Sequence, residues 1–403
     1  MKDWDVTIVG GGLTGPLMAI ALAEAGFSVG VIDLVAEKLR KNAGFDGRSY
    51  AVALTSCRLL EALGLWDALD ATAQPMLDIK VSDGHAGQGG APFFMHFDHT
   101  ELEEGPMGHM IEDRHLRHAL IDRVAEHPRI ETVEKHAVVG QNPTPGGITI
   151  ELDDGTTRHA TLAIAADGRG SSMAQRAGIK RTTWGYDQTA LVCAIEHSLP
   201  HNGVAHQFFM PSGPLAILPL SGNRSSIVWS ETKDLAAHIH GMPDAEYLDV
   251  LRPRFGSFLG DISLAGKRWT YPLGLSLAHN MVAERLALVG DAAHGVHPIA
   301  GQGLNAGMRD IAALAQVLAE AKERGEDIGA STVLGRYEEW RRFDNTALAM
   351  ATDAFNRLFS NDNPILRIGR DIGMGVINSL PGMRRGFMRE AAGLTGEMPK
   401  LMQ

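Results

Sequence analysis

Cysteine is nearly absent. Cys57 and Cys193 are the only two thiols in 403 residues; they form no C-x-x-C pair and build no disulfide framework. The expectation is two buried core thiols in a reducing compartment. Positive charge is also short. The 37 Lys and Arg against 48 Asp and Glu leave a net charge of −11, which speaks against nucleic-acid binding. Long apolar runs are missing: no window of 18 apolar residues occurs, so no segment reads as a membrane span. Gly10 to Gly12 interrupt the early apolar stretch, so none reads as a secretory leader. Internal repeats and low-complexity tracts are not found. The chain is 44% hydrophobic and 21% charged, and too long for one ordinary domain, which fits a globular protein with two cores.

Glycine, by contrast, is placed with purpose. Val6-Thr7-Ile8-Val9 reads as a buried strand, and Gly10-Gly11-Gly12-Leu13-Thr14-Gly15 then fits G-x-G-x-x-G. Residues 16–25 read as a small-residue helix and 28–32 as the next strand, closed by Asp33, 18 residues after Gly15. This is the strand–turn–helix–strand context in which Gly10 allows a tight turn, Gly12 lets a pyrophosphate approach, and Gly15 lets helix and strand pack closely. Asp33 can accept hydrogen bonds from an adenosine ribose and would repel a 2′-phosphate, so the ligand expected is FAD or NAD rather than NADP.

A second glycine-rich site lies far downstream. Residues 285–289 read as a strand with Gly290-Asp291 at its carboxyl end, where open α/β sheets bind ligands. Residues 297–310 follow as His-Pro-Ile-Ala-Gly-Gln-Gly-Leu-Asn-Ala-Gly-Met-Arg-Asp. Glycines 301, 303 and 307 with Pro298 describe a tight loop feeding a helix start, whose free N–H groups seat an electron-rich group. Between the two sites, residues 163–168 read as an apolar strand ending in Asp167-Gly168. An NAD domain is complete within one Rossmann unit; this delayed second site separates FAD from NAD.

These motifs together resemble the class A FAD-dependent aromatic monooxygenases of the para-hydroxybenzoate hydroxylase fold. The 297–310 segment is more specific: it resembles the ubiquinone-biosynthesis hydroxylase signature H-P-(aliphatic)-A-G-Q-G-x-N-x-G-x-x-D and matches every defined position. Asp46-Gly47-Arg48 with Ala53 and Ser56, residues 108–112, and 358–362 (Leu-Phe-Ser-Asn-Asp) agree as well, so the resemblance runs from residue 5 to about 395. Asp33 stands where many such proteins carry Glu, and Asp113 where relatives often carry Asn.

The resemblance implies an α/β chain with a Rossmann-like FAD domain, an inserted antiparallel-sheet substrate domain and a helical C-terminal region. It implies hydroxylation of the aromatic ring of a polyprenylated phenol in ubiquinone biosynthesis, with FAD reduced by NAD(P)H and O2 carried as a flavin C4a-hydroperoxide. The cofactor does the hard chemistry; the protein supplies position and electrostatics. On this view Pro298, Gly301, Gln302 and Gly303 face the flavin ring, joined by Leu304 and Asn305. Gly290 and Asp291 hold the ribityl chain, Arg48 reaches the pyrophosphate or ribityl region, Asp167 lies near the diphosphate, and Arg117 or Arg114 touches the adenosine half. Asp167 has a plainer role available, capping the turn that follows it. His294 and His297 flank the loop as hydrogen-bonded members, Trp184, Tyr186 and Gln188 stand where they line a pocket or simply pack, and no substrate base is identified. NADH or NADPH is left open.

The expected organisation is discontinuous: residues 1–75, 101–180 and 281–325 form the FAD domain, 76–100 and 181–280 the substrate domain, and 326–403 the C-terminal region. A helix is expected at 113–126, a strand at 130–134, a hairpin over 148–161, and antiparallel strands at 190–195, 204–210, 215–219 and 225–229. From 355 onward, 7 Lys and Arg against 4 Asp and Glu sit among apolar residues. Such a segment can lie on an anionic membrane face, contact other ubiquinone-biosynthesis proteins, or pack as a helix pair. The expected location is the cytoplasm, peripheral on the inner membrane if that face is used. Three other functions stay open: a hydroxylase of a soluble phenol, a flavin reductase of the same fold, and a flavin-binding scaffold subunit.

Overall fold

Strand β1 (Trp4–Val9), helix α1 (Thr14–Glu24) and strand β2 (Val29–Asp33) form one parallel unit. The two strands pair from Val6 with Val29 to Val9 with Ile32. The helix is apolar on every side, and Gly15 through Ala23 are all buried, as a helix must be when covered by sheet on one side and helix on the other. The computed structural model describes residues 3–41, 44–85, 87, 89–295, 302–359 and 378–403.

The first sheet runs Val282–Ala283, Leu286–Leu288, Thr157–Ala165, β1, β2, Ile130–Glu134. The four pairs from Leu286–Leu288 to Ile130–Glu134 are parallel. Near-continuous apolar runs such as 162–165 are what a strand covered on both faces requires. Parallel alignment has one decisive consequence: the strands preceding Gly10, Asp33, Asp167 and Gly290 all end at the same edge. Strands Gly147–Leu152 and Val138–Thr144 extend the sheet antiparallel from Thr157–Ala165.

The second sheet has the order His294–Gly295, Trp269–Ala278, Arg181–His197, Arg224–Thr232, Gly213–Leu220, Val204–Met210, Asp78–His85, Gly89–Asp98. The strands expected at 190–195, 215–219 and 225–229 are parts of longer ones, and Arg181–His197 spans 17 residues. The sheet is not wholly antiparallel, because Val204–Met210 and Asp78–His85 run parallel. The reason is connectivity: no hairpin joins these two, and a long crossover permits parallel pairing. On one face Leu191, Cys193, Ile195, Ile227 and Trp229 pack under helices Lys233–His240 and Asp244–Phe255. Both cysteines are buried, which pushes each thiol up to about 12.

A third sheet of Ser49–Ala53, Gly108–Glu112 and Gln74–Pro75 sits beside the two. Helices Gln302–Glu323, Ser331–Phe359 and Pro381–Ala391 complete the described chain.

Candidate cofactor site

The glycine loop is built around contacts that leave no room for side chains. Gly10 has φ +113°, and a Cβ there would stand 2.4 Å from the Ala166 carbonyl oxygen. A Cβ on Gly15 would stand 1.8 Å from the Gly10 carbonyl oxygen. Above Gly12 no atom of the described residues lies within 4 Å of a Cβ position. Asp33 accepts the Gly11 N–H on Oδ2 and the Val35 N–H on Oδ1, the latter at 2.5 Å. Arg40 Nη1 donates to the Gly11 carbonyl at 2.6 Å and its Nη2 faces Glu134 at 3.5 Å. A cation thus stands beside Asp33, and only the long-range fold brings it there.

Asp167 takes its plainer role in part. Its Oδ2 accepts from Ser172 Oγ at 3.3 Å and the Met173 N–H at 3.2 Å, which holds the start of helix Ser172–Arg176. Its Oδ1 is buried with no hydrogen-bond partner among the described residues. A buried carboxylate oxygen left over beside an open glycine loop suits a ligand that donates to it.

At the second site, Asp291 pairs through Oδ2 with Arg169 Nε at 3.2 Å, and both side chains are 47% exposed. Arg181 Nη2 donates to the Asp291 carbonyl at 3.1 Å and its Nη1 to that of Ala292. Burial lowers the Arg181 pKa. Beneath the turn, Asp310 is wholly buried. Its Oδ2 accepts the Gly290 N–H at 3.1 Å and His294 Nε2 at 2.5 Å; its Oδ1 accepts Arg341 Nε at 2.9 Å and Asn345 Nδ2 at 3.2 Å. Burial pushes this carboxyl up, but His294 and Arg341 outweigh it and hold it down to about 2.

Gln302, Gly303 and Leu304 open helix Gln302–Glu323 and are half-buried. Asn305 turns toward the third sheet: its Oδ1 accepts the Ala53 N–H and its Nδ2 donates to the Ala51 carbonyl, each at 2.9 Å. Expected on the cofactor, its side chain ties the loop's helix to strand Ser49–Ala53. Pro298, Gly301 and His297 lie outside the described residues.

Arg48 and Arg117 meet on Asp113, noted in the sequence as a departure from relatives but not as their shared partner. Asp113 Oδ1 accepts from Arg117 Nη2 and from the Tyr50 hydroxyl, each at 2.7 Å, while Oδ2 lies 3.3 Å from Arg48 Nη2. Arg48 also donates to Asp46 and lies over the Trp269 ring, 5.1 Å from its centroid. Burial raises the Asp113 pKa, and Arg117, Tyr50 and Arg48 outweigh it and hold it low. The i, i+4 spacing of Asp113 and Arg117 was the available signal. Arg114 instead pairs with Glu112 at 2.8 Å. Trp184 Nε1 donates to Asp353 at 3.1 Å and Gln188 Nε2 to the Ser212 carbonyl at 2.7 Å, so both serve packing and cross-links.

Comparison with known proteins shows the family and the fold. The FAD binding domain family model matches residues 3–352. Ubiquinone hydroxylase UbiL of Rhodospirillum rubrum is 45% identical, over 100% of this chain and 93% of its own. The 3-demethoxyubiquinol 3-hydroxylase of Escherichia coli is 32% identical, over 97% and 98%. The crystal structure of p-nitrophenol 4-monooxygenase PnpA from Pseudomonas putida DLL-E4 superposes with a TM-score of 0.80 over 98% of each chain. At 20% identity that likeness shows the fold.

Proposed function

The chain belongs to the ubiquinone-biosynthesis hydroxylases of the class A FAD-dependent monooxygenases, and from that premise we propose that it hydroxylates the ring of a polyprenylated phenol on the way to ubiquinone. Monooxygenases of this family use FAD, NAD(P)H and O2. The observation that carries the substrate reading is identity of 45% to a ubiquinone hydroxylase along the whole chain.

The residues fit FAD: among the described residues the space over Gly12 is open and Asp167 holds a buried oxygen without a partner. Gly10, Gly12 and Gly15 would cradle the pyrophosphate and Asp33 would bind the adenosine ribose. Asp167 would accept from the diphosphate side. Gly290 and Asp291 would hold the ribityl chain, and Pro298, Gly301, Gln302, Gly303 and Leu304 would place the ring, with Asn305 acting indirectly through its tie to strand Ser49–Ala53. Arg48 would reach the pyrophosphate or ribityl region and Arg117 the adenosine half, both held in place by Asp113. When bound, FAD supplies hydride acceptance from NAD(P)H and activation of O2. The chain's own share is to orient the phenol and exclude water.

The division into an FAD domain (1–75, 101–180, 281–325) and a substrate domain (76–100, 181–280) is supported by two main sheets and cores drawn largely from the two sets, with His294–Gly295 and two smaller clusters joining them. With purified holo-protein, NAD(P)H and oxygen-18 gas, the product of a prenylated phenol gains one labelled oxygen atom. Oxidation of NAD(P)H with no labelled product counts against the reading.

We also propose peripheral membrane contact through the C-terminal helix. Among the described residues no helix is long and apolar enough to cross a membrane. Helix Pro381–Ala391 buries Met388 and leaves Leu380, Met383 and Phe387 exposed at 45, 49 and 44%, with exposed Arg385 beside them. Three of the basic residues counted in the sequence are engaged: Arg384 pairs with Glu101 at 2.8 Å, Arg389 with Glu104 at 3.4 Å and Lys400 with Glu320 at 3.3 Å. The apolar stripe therefore supports the contact more than charge does. The protein should float with liposomes, and Met383→Ser with Phe387→Ser should weaken flotation; equal flotation of the variant contradicts this contact.

A further inference from the structure

Asp310 is a buried charge that the cofactor assignment does not use. Burying a carboxylate costs free energy unless it is fully paired, and an apolar side chain at position 310 would pack without that cost. Its partners identify the return. They come from three places: the Gly290 N–H at the turn that presents Asp291, His294 just ahead of the ring loop, and Arg341 and Asn345 on helix Ser331–Phe359. Arg341 is 2% exposed and also donates to Asp344 at 2.7 Å and Asn345 Oδ1 at 3.0 Å, so its guanidinium is fixed in place. Helix Ser331–Phe359 reaches further as well. Glu338 accepts the Met281 N–H at 2.7 Å, ahead of strand Leu286–Leu288, and Asp353 accepts from Trp184 on the strand Arg181–His197. That strand carries Arg181, which holds the Asp291 and Ala292 carbonyls from the other side.

We propose that Asp310, clamped by Arg341 and Asn345, is a positioning residue for the flavin: it sets the Gly290–Asp291 turn and orients His294, and so fixes where the ribityl anchor and the ring loop stand. The proposal rests on the FAD reading. A helix outside the glycine motifs thereby controls the cofactor's seat through one buried ion pair.

The test uses apoprotein and holoprotein of the full chain as wild type, Asp310→Asn, Arg341→Met, the double variant Asp310→Asn with Arg341→Met, and the mild Asn345→Ala. FAD affinity is read by flavin fluorescence quenching, the seat by the absorption spectrum and midpoint potential of the bound flavin, and folding by thermal unfolding of the apoprotein. Each single Asp310 or Arg341 variant should bind FAD about tenfold more weakly, the loss of one hydrogen bond to a charged group. Asn345→Ala, which keeps the ion pair, should fold and show an altered flavin spectrum. Removing both charges should restore the thermal midpoint, because no unpaired buried charge remains, but leave FAD affinity and spectrum impaired. Folded variants with wild-type affinity, spectrum and potential would overturn the positioning role. So would a double variant in which these recover together with stability. If the wild type takes up no FAD at all, the cofactor reading itself falls; if wild type and variants take it up alike, only the positioning role does.

Discussion

At the scale of one residue, the proposed role of Asp291 can be separated from stability. Its side chain is half exposed and its salt-bridge partner is Arg169, an exposed pair worth under about 1 kcal/mol. Asp291→Ala should therefore leave the urea unfolding of the apoprotein within about 0.5 kcal/mol of wild type while FAD content and turnover fall sharply. A variant that keeps its flavin and activity would remove Asp291 from the site. Candidates of this kind could be proposed from sequence because the pattern is local: Gly10, Gly12, Gly15, Asp33, Asp167, Gly290 and Asp291 lie at or within a few residues of an apolar strand's end. The Asp310–Arg341 and Arg48–Asp113 pairs could not. Arg341 lies 31 residues from Asp310, and Arg48 reaches Asp113 only across the third sheet. Such pairs leave no periodicity to read.

Among elements, the helix Gln302–Glu323 joins the parts of the site, since Asn305 ties its first turn to strand Ser49–Ala53 and Asp310 ties its third to the Gly290 turn. The ion pair predicts a pH dependence. The folded Asp310 carboxyl titrates below its ordinary 3.8, at about 2. Its contribution is present above pH 4 and is lost as pH falls from about 4 through 2, a loss of roughly 2 kcal/mol. Unfolding by urea across that range should show a steeper acid loss in wild type than in Asp310→Asn; parallel curves would contradict the pairing. Sequence patterns placed Asp113–Glu126, Ile130–Glu134 and Val204–Met210 at their observed bounds. They missed the strands Asp78–His85 and Gly89–Asp98, where Gly, His and Phe obscure the alternation. They also missed the third sheet, whose short strands pair across large sequence separations.

For the whole molecule, one parallel sheet gathers four motif ends at one edge, and a second sheet with its own core stands beside it. The fold class was readable because parallel strands of β-branched and small apolar residues alternate with helices. In the sequence the proposed substrate rests on the resemblance of the 297–310 segment, since fold alone does not choose among phenols. The most direct test of the central claim is quinone-intermediate profiling by mass spectrometry in cells lacking this gene, with Asp291→Ala as the rescue control. A polyprenylated phenol short of one hydroxyl should accumulate, and be cleared by the intact protein and not by the variant. Normal ubiquinone with no accumulating precursor would contradict the account.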